Sequence, residues 1–123
     1  MTDRAEPDDL ETAVPRSKFL IADDLPWRAF PEAPGVSFRV LKTHRPGTGA
    51  TLQLHFEPGS SYPAHRHPMG EEYWVQSGEL VDGARRYGAG TYVYHPPGSV
   101  HRPRSETGAT VLIFVPGGIE LVD

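Results

Sequence analysis

Short apolar segments separated by turn-forming residues recur along most of the chain. Residues 36–41 and 51–56 alternate apolar and polar side chains with a period of two, which is typical of strands that bury one face. Further apolar runs predict strands at residues 19–21, 72–75, 80–81, 91–94 and 109–115. Pro-Gly and Gly-rich turns lie between these runs, and no helical periodicity extends beyond a turn. The pattern therefore predicts an all-β sandwich or barrel.

Composition narrows the class of protein. The 123 residues are enough for one domain, which we expect over residues 17–123, after a mobile, acidic and proline-containing tail over residues 1–16. The absence of cysteine excludes disulfides and thiolate metal sites. A net charge of −4 with scattered Lys and Arg argues against nucleic-acid binding. No apolar run is long enough to cross a membrane, and the polar N-terminus does not resemble a signal peptide, so we expect a cytoplasmic protein.

Three histidines and one glutamate stand out as candidate metal ligands. His65 and His67 are two residues apart, so both imidazoles lie on one face of an extended strand. Glu71 follows after a predicted turn, and His101 lies beyond a second turn. Three nitrogens and one oxygen suit one divalent ion per chain, such as Fe(II), Zn, Mn, Ni or Co. The alternative is a solvated histidine pair on an edge strand.

The spacing of these residues resembles two known motifs. The pattern Gly-x5-His-x-His-x3-Glu-x6-Gly over residues 59–78 resembles the first cupin motif, and Gly-x5-Pro-x-Gly-x2-His over residues 90–101 resembles the second. Ser105 stands where the second motif usually has Asn. Over residues 23–116 the chain resembles the ChrR-like cupins, which include a zinc-binding anti-sigma factor and small dioxygenases that cleave diketones or hydroxyaryl ketones. The resemblance implies a double-stranded β-helix, or jelly-roll, barrel with a metal held by His65, His67, Glu71 and His101.

Two residues near these ligands are candidates for catalysis. Strand alternation places Tyr73 on the same face as Glu71, with Glu72 on the opposite face. Tyr73 then either contributes to the site or is a core aromatic residue with an ordinary hydrogen-bond partner. In cupins the residue before the second-motif proline, here His95, usually points into the barrel. We expect His95 to act as an acid/base that hydrogen-bonds a metal-bound water, a substrate oxygen or Glu71, the alternative being a histidine satisfied by backbone.

These residues support several functions. The first hypothesis is a mononuclear non-haem dioxygenase that acts on a small chelating substrate of the diketone or hydroxyaryl ketone class. The alternatives are a metal or small-ligand sensor without catalysis, and a metal-dependent isomerase or lyase. Four apolar residues are expected to form the contact of a homodimer: Phe19, Ile21, Trp27 and Phe30.

Overall fold

The computed structural model describes residues 16–45 and 47–122. The predicted tail therefore lies outside the described residues, except for Arg16. The described segments contain one turn of 3-10 helix, Ala22–Asp24, and twelve strands. The strands are β1 (Arg28–Ala29), β2 (Val36–Thr43), β3 (Gly49–Phe56), β4 (Ser60–Ser61), β5 (His65–His67), β6 (Glu71–Asp82), β7 (Arg85–Gly88), β8 (Tyr92–His95), β9 (Ser99–His101), β10 (Arg104–Ser105), β11 (Ala109–Pro116) and β12 (Glu120–Leu121).

The strands form two antiparallel sheets that curl around one core. In the described chain, the larger sheet runs β1-β2-β3-β11-β6-β10-β4, with β7 and β8 also paired to β6. The smaller sheet runs β12-β5-β9. The predicted all-β class is confirmed. No helix among the described residues is long and apolar enough to cross a membrane.

Alternating side chains explain how the central strands bury one face. In β6, Glu71, Tyr73 and Val75 are buried, whereas Trp74 is exposed. Residues of odd number in β11 are buried in the same way from 109 to 115. Tyr73, Val75 and these β11 residues meet Phe56 of β3 in one apolar cluster. Burial of this surface, at roughly 25 cal/mol per Å² of apolar area, drives the sheets to close on each other.

A bulge bends β6 and changes which side chains face the interior. Thr110 of β11 pairs with Ser77, but the next residue, Val111, pairs with Val75, so Gln76 has no partner in β11. One extra residue shifts the alternation, so even-numbered residues face inward after the bulge. Leu80 accordingly joins the core cluster and Asp82 contacts His101, whereas Val81, which is also buried, does not belong to that cluster.

Three sequence predictions about strands need correction. Residues 19–21 are not a strand, and Phe19 is 93% exposed, because no described strand pairs with this segment. The runs at residues 72–75 and 80–81 are parts of the single strand β6. Several strands of two to four residues, including β7 and β12, were not predicted, because segments this short do not show a clear alternation of apolar and polar residues.

The segment before β2 is held against the outer face of the larger sheet by the buried side chain of Arg39. Arg39 stacks on the Trp27 ring, with its guanidinium carbon 4.1 Å from the ring centre. Its guanidinium also donates hydrogen bonds to Gln53 Oε1 at 2.7 Å and to Asp23 Oδ1 at 3.0 Å. Phe30, by contrast, packs against the core through Tyr62 rather than joining an exposed patch with Phe19.

Candidate metal centre

The three motif histidines lie next to one another on the smaller sheet. His65 and His67 come from β5, and His65 is the direct cross-strand neighbour of His101 in β9. One ring nitrogen from each of the three lies within 4.8 Å of the others. His67 Nε2 and His101 Nε2 are 2.9 Å apart. The alternative of a solvated edge pair is excluded, because His65 and His67 are both buried.

Glu71 brings a carboxylate to the same point from the first residue of β6. Its Oε2 lies 3.3 Å from His67 Nε2, and its Oε1 lies 3.5 Å from His101 Nε2. Gly70 makes this approach possible, since it has a φ of 84° and a Cβ there would lie 2.8 Å from the His95 carbonyl oxygen. The turn predicted between His67 and Glu71 therefore depends on a glycine at position 70.

In His65 and His101 a hydrogen bond fixes the proton on Nδ1, the nitrogen that faces away from the other proposed ligands. The Nδ1 atom of His65 is 2.7 Å from the Pro63 carbonyl oxygen, which can only accept, so Nδ1 carries the proton. The Nδ1 atom of His101 is likewise 2.8 Å from Asp82 Oδ2. In both rings Nε2 is left with a lone pair, which is the form that binds a metal.

The arrangement of the ligand atoms is more favourable with a cation between them than without one. Glu71 Oε1, which faces His101 Nε2, is buried without any hydrogen-bond partner in the part of the chain that the structure describes. Nitrogen lone pairs 2.9 Å apart repel unless a proton or a cation lies between them. Three imidazoles and a carboxylate are the ligands that borderline divalent ions prefer. The site is therefore compatible with a single metal ion.

Burial sets the charge of these ligands. Desolvation, reinforced by repulsion from His65 and His101, lowers the pKa of His67 to about 3. Desolvation also lowers the pKa of His65. Burial, with repulsion from Asp82 as a smaller cause, raises the pKa of Glu71 to about 8. At neutral pH the imidazoles of His65 and His67 are therefore neutral, whereas the carboxyl group of Glu71 holds a proton that a bound cation would displace.

Asp82 is a site residue that the sequence analysis missed. Its Oδ2 atom accepts hydrogen bonds from His101 Nδ1 at 2.8 Å, from His95 Nε2 at 3.0 Å and from the Tyr73 hydroxyl at 3.0 Å. Burial alone would raise the pKa of Asp82, but hydrogen bonds from His101, His95 and Tyr73 lower it well below its ordinary value. The carboxylate is therefore an anion at neutral pH.

His95 and Tyr73 both point inward, as expected, but their common partner was not foreseen. The expected partners of His95 were a metal-bound water, a substrate oxygen, Glu71 or backbone, and its Nε2 instead bonds Asp82. One nitrogen of His95 lies within 4.8 Å of ligand atoms of Glu71 and His101. Tyr73 is buried, and this burial is the largest cause that raises the pKa of its hydroxyl.

A cavity of about 230 Å³ opens beside the histidines. Pockets for drug-sized ligands measure about 300–1,000 Å³, so this cavity suits a smaller molecule. The polar side chains that line it are the histidines of the smaller sheet, Glu71, Tyr73 and Tyr62. The remaining wall is apolar and includes Leu52, Leu54, Phe56, Leu80, Val111, Ile113, Val115 and Ile119.

The two remaining described histidines are outside the site. His44 Nε2 lies 3.0 Å from Thr51 Oγ1, and His55 Nδ1 lies 3.0 Å from Thr110 Oγ1. Ser105, which replaces the usual Asn of the second motif, donates to the Glu79 carbonyl oxygen and accepts from Gly108 N–H. Ser105 therefore stabilises the turn between β10 and β11 itself. The departure from the motif does not alter the positions of the proposed ligands.

A β-barrel with a His-x-His pair, a glutamate and a distant histidine gathered beside its cavity is the arrangement of a cupin. The chain belongs to the ChrR cupin-like domain family, which matches residues 16–119. The acetylacetone dioxygenase of Acinetobacter johnsonii has a similar fold, with a TM-score of 0.79, 17% identity, and coverage of 100% of this chain and 85% of that one. The jelly-roll barrel implied by the motif resemblance is thereby confirmed.

Two further similarities concern proteins of different roles. The structure of Rhodobacter sphaeroides SigE in complex with the anti-sigma ChrR matches with a TM-score of 0.64 and 27% identity, over 74% of this chain and 49% of that one. The dimethylsulfoniopropionate lyase DddQ of Ruegeria pomeroyi is 38% identical over 61 residues. This match covers 46% of the chain and 30% of the length of the lyase.

Proposed function

We propose that the protein is a mononuclear, metal-dependent dioxygenase that acts on a small chelating substrate of the diketone or hydroxyaryl ketone class. One observation carries this proposal: three imidazoles and one carboxylate converge in the lining of a cavity whose remaining wall is largely apolar. A chelating oxygen pair and a short hydrocarbon body match the two parts of such a cavity.

The proposed ligands are His65, His67, Glu71 and His101. A bound divalent ion supplies polarisation of the substrate oxygens and, if it is iron, the redox chemistry that dioxygen requires. Neutral imidazoles hold such an ion without adding positive charge of their own. The apolar wall holds the substrate body and excludes water from the reacting end of the cavity.

His95 is the proposed acid/base, and Tyr73 supports it. A diketone binds as its enolate, so one proton must move to the protein. The Nε2–H of His95 is donated to Asp82, so Nδ1 is the nitrogen that would accept that proton, and the neighbouring carboxylate would stabilise the imidazolium that forms. His95 adjoins the cavity behind Glu71 and His101 rather than lining it. The Tyr73 hydroxyl donates to the same carboxylate and helps to fix its position.

Metal analysis and oxygen uptake test this function. The protein is purified without added metal, its metal content is measured, and it is loaded with Fe(II) under anaerobic conditions. We expect oxygen uptake with at least one member of a panel of β-diketones and hydroxyaryl ketones. His67→Ala should abolish both metal retention and uptake, whereas His55→Ala, a histidine outside the site, should change neither. Uptake with no compound by the iron-loaded protein would contradict the proposal.

A lyase is the second candidate, and the local 38% identity with DddQ favours it. Elimination from dimethylsulfoniopropionate needs a base for the carbon-bound proton, and it needs no oxygen. The same iron- or zinc-loaded protein, incubated anaerobically with this compound, would release dimethyl sulfide if the lyase reading is correct. Metal retention without either reaction would instead favour the sensor that the likeness to ChrR suggests.

The homodimer remains a proposal that the exposed Phe19 and Ile21 support. With Leu20 between them they form three consecutive exposed apolar residues, and it is contiguous apolar patches that mark interaction surfaces. Light scattering coupled to size exclusion would show twice the chain mass, and Phe19→Ser combined with Ile21→Ser would return the mass to that of one chain.

A further inference from the structure

Asp82 is connected to the proposed metal centre although it belongs to neither cupin motif. Its carboxylate is buried, and one oxygen atom, Oδ2, accepts from three different side chains of the site. The shortest of these bonds, 2.8 Å, comes from His101 Nδ1. Asp82 reaches this position only because β6 curls: Tyr73 and Asp82 are nine residues apart on one strand, which would separate them by about 30 Å if it were straight.

The bond to Asp82 determines which nitrogen of His101 carries the proton. A neutral imidazole has one N–H and one lone pair, and its tautomer follows the partner of one nitrogen. A carboxylate can only accept, so it keeps the proton on Nδ1 and leaves Nε2 to face His67 and Glu71. Without this acceptor both tautomers are accessible, and the one with the proton on Nε2 cannot bind a cation.

We propose that Asp82 is a positioning residue that fixes the tautomer and ring orientation of His101, and so sets the affinity of the centre for its metal. The inference rests on the metal site of the proposed function but not on the reaction catalysed there. Because Oδ2 also accepts from His95 Nε2, the same carboxylate holds the proposed ligand and the proposed acid/base in one fixed relation.

Metal affinity of the purified protein tests this role without any substrate. Zn²⁺ binding is measured by competition with a chromophoric chelator for wild type, Asp82→Asn and Glu79→Gln. The last variant is the matched control, since it removes an exposed carboxylate from the same strand, where it contacts Arg86. Loss of a carboxylate behind a metal-bound histidine typically costs 10–100-fold in affinity, and we expect that loss for Asp82→Asn only.

The histidine tautomers give a second readout, and its wild-type part does not depend on how the variants fold. Long-range ¹H–¹⁵N spectra of the metal-free wild type should show His101 with its proton on Nδ1. In Asp82→Asn the amide NH₂ can donate to Nδ1, so the signal should shift towards the Nε2–H form. A wild-type His101 protonated on Nε2, or an Asp82→Asn variant that binds Zn²⁺ within threefold of wild type, would overturn the assignment.

The outcomes also separate this inference from the metal site itself. If wild type binds no Zn²⁺, the metal site is wrong and the role of Asp82 falls with it. If wild type binds Zn²⁺ and Asp82→Asn binds it equally well, only the positioning role is wrong. Failure to oxidise any substrate affects neither result.

Discussion

Metal binding should release a proton from Glu71, and this can be measured directly. The raised pKa of about 8 means that roughly 90% of the buried carboxyl is protonated at pH 7 in the metal-free protein. A metal requires the anion, so binding must expel that proton. The pKa of His67, lowered to about 3, means that this ring has no proton to lose at the same pH.

The expected size follows from the pKa of Glu71. Competition from this proton reduces metal affinity by a factor of 1 + 10^(pKa − pH), which changes about 50-fold between pH 8 and pH 6 and corresponds to about 2.3 kcal/mol. Calorimetric titration at pH 7 in two buffers of different ionisation enthalpy counts the protons released. We expect about 0.9 proton more per ion from wild type than from Glu71→Gln.

The Glu71→Gln variant is the control because its amide cannot titrate, although it should bind metal more weakly. Equal proton release by wild type and this variant would show that Glu71 is ionised before the metal arrives. The buried carboxyl would then not be the group that makes binding depend on pH, and the reasoning from burial would fail.

Other predictions concern stability. Because burial raises the pKa of Glu71, the folded chain binds this proton more tightly than the unfolded chain does. The metal-free protein should therefore lose about 1.6 kcal/mol of stability between pH 6.5 and 8 relative to Glu71→Gln, measured by denaturant unfolding at each pH. Gly78→Ala, whose Cβ would lie 2.0 Å from a carbonyl oxygen, should destabilise far more than Gly83→Ala, which has open space and should cost only the roughly 1–2 kcal/mol of a left-handed residue. Equal losses would contradict the steric argument. Phe56→Ala should cost about 3–5 kcal/mol, and Phe114→Ala, at a residue that is 42% exposed and contacts the His44 ring, should cost clearly less, both from urea midpoints.

Local pattern was sufficient to predict the main strands and the shared faces of His65 with His67 and of Glu71 with Tyr73, whereas His101 was joined to this group by the resemblance to the cupin motifs. Alternation placed Glu71 and Tyr73 on one face because β6 is regular over that stretch. The His-x-His spacing worked for the same reason, since β5 is extended and sends both rings inward. Each of these predictions uses only neighbours within a few residues, where the period of a strand is reliable.

Asp82 could not be found in this way. Counted from Glu71 by strict alternation, residue 82 faces outward, and Asp82-Gly83 has the composition of an ordinary turn. The bulge at Gln76 reverses the alternation, and it arises from pairing with β11, about thirty residues further along the chain. The strand predicted at residues 19–21 was wrong for a related reason: apolar character favours a strand, but a strand also needs a neighbour to bond.

The proposed ligands come from both sheets of the barrel. The histidines lie on the small sheet formed by β5 and β9, whereas Glu71 and the aspartate behind His101 lie on the large one. An ion held by all four ligands would therefore act as a cross-link that ties two separately hydrogen-bonded layers. Loading should therefore slow amide hydrogen exchange in β5 and β9 as well as at the start of β6, so that one ion would make the adjoining parts of both sheets more rigid.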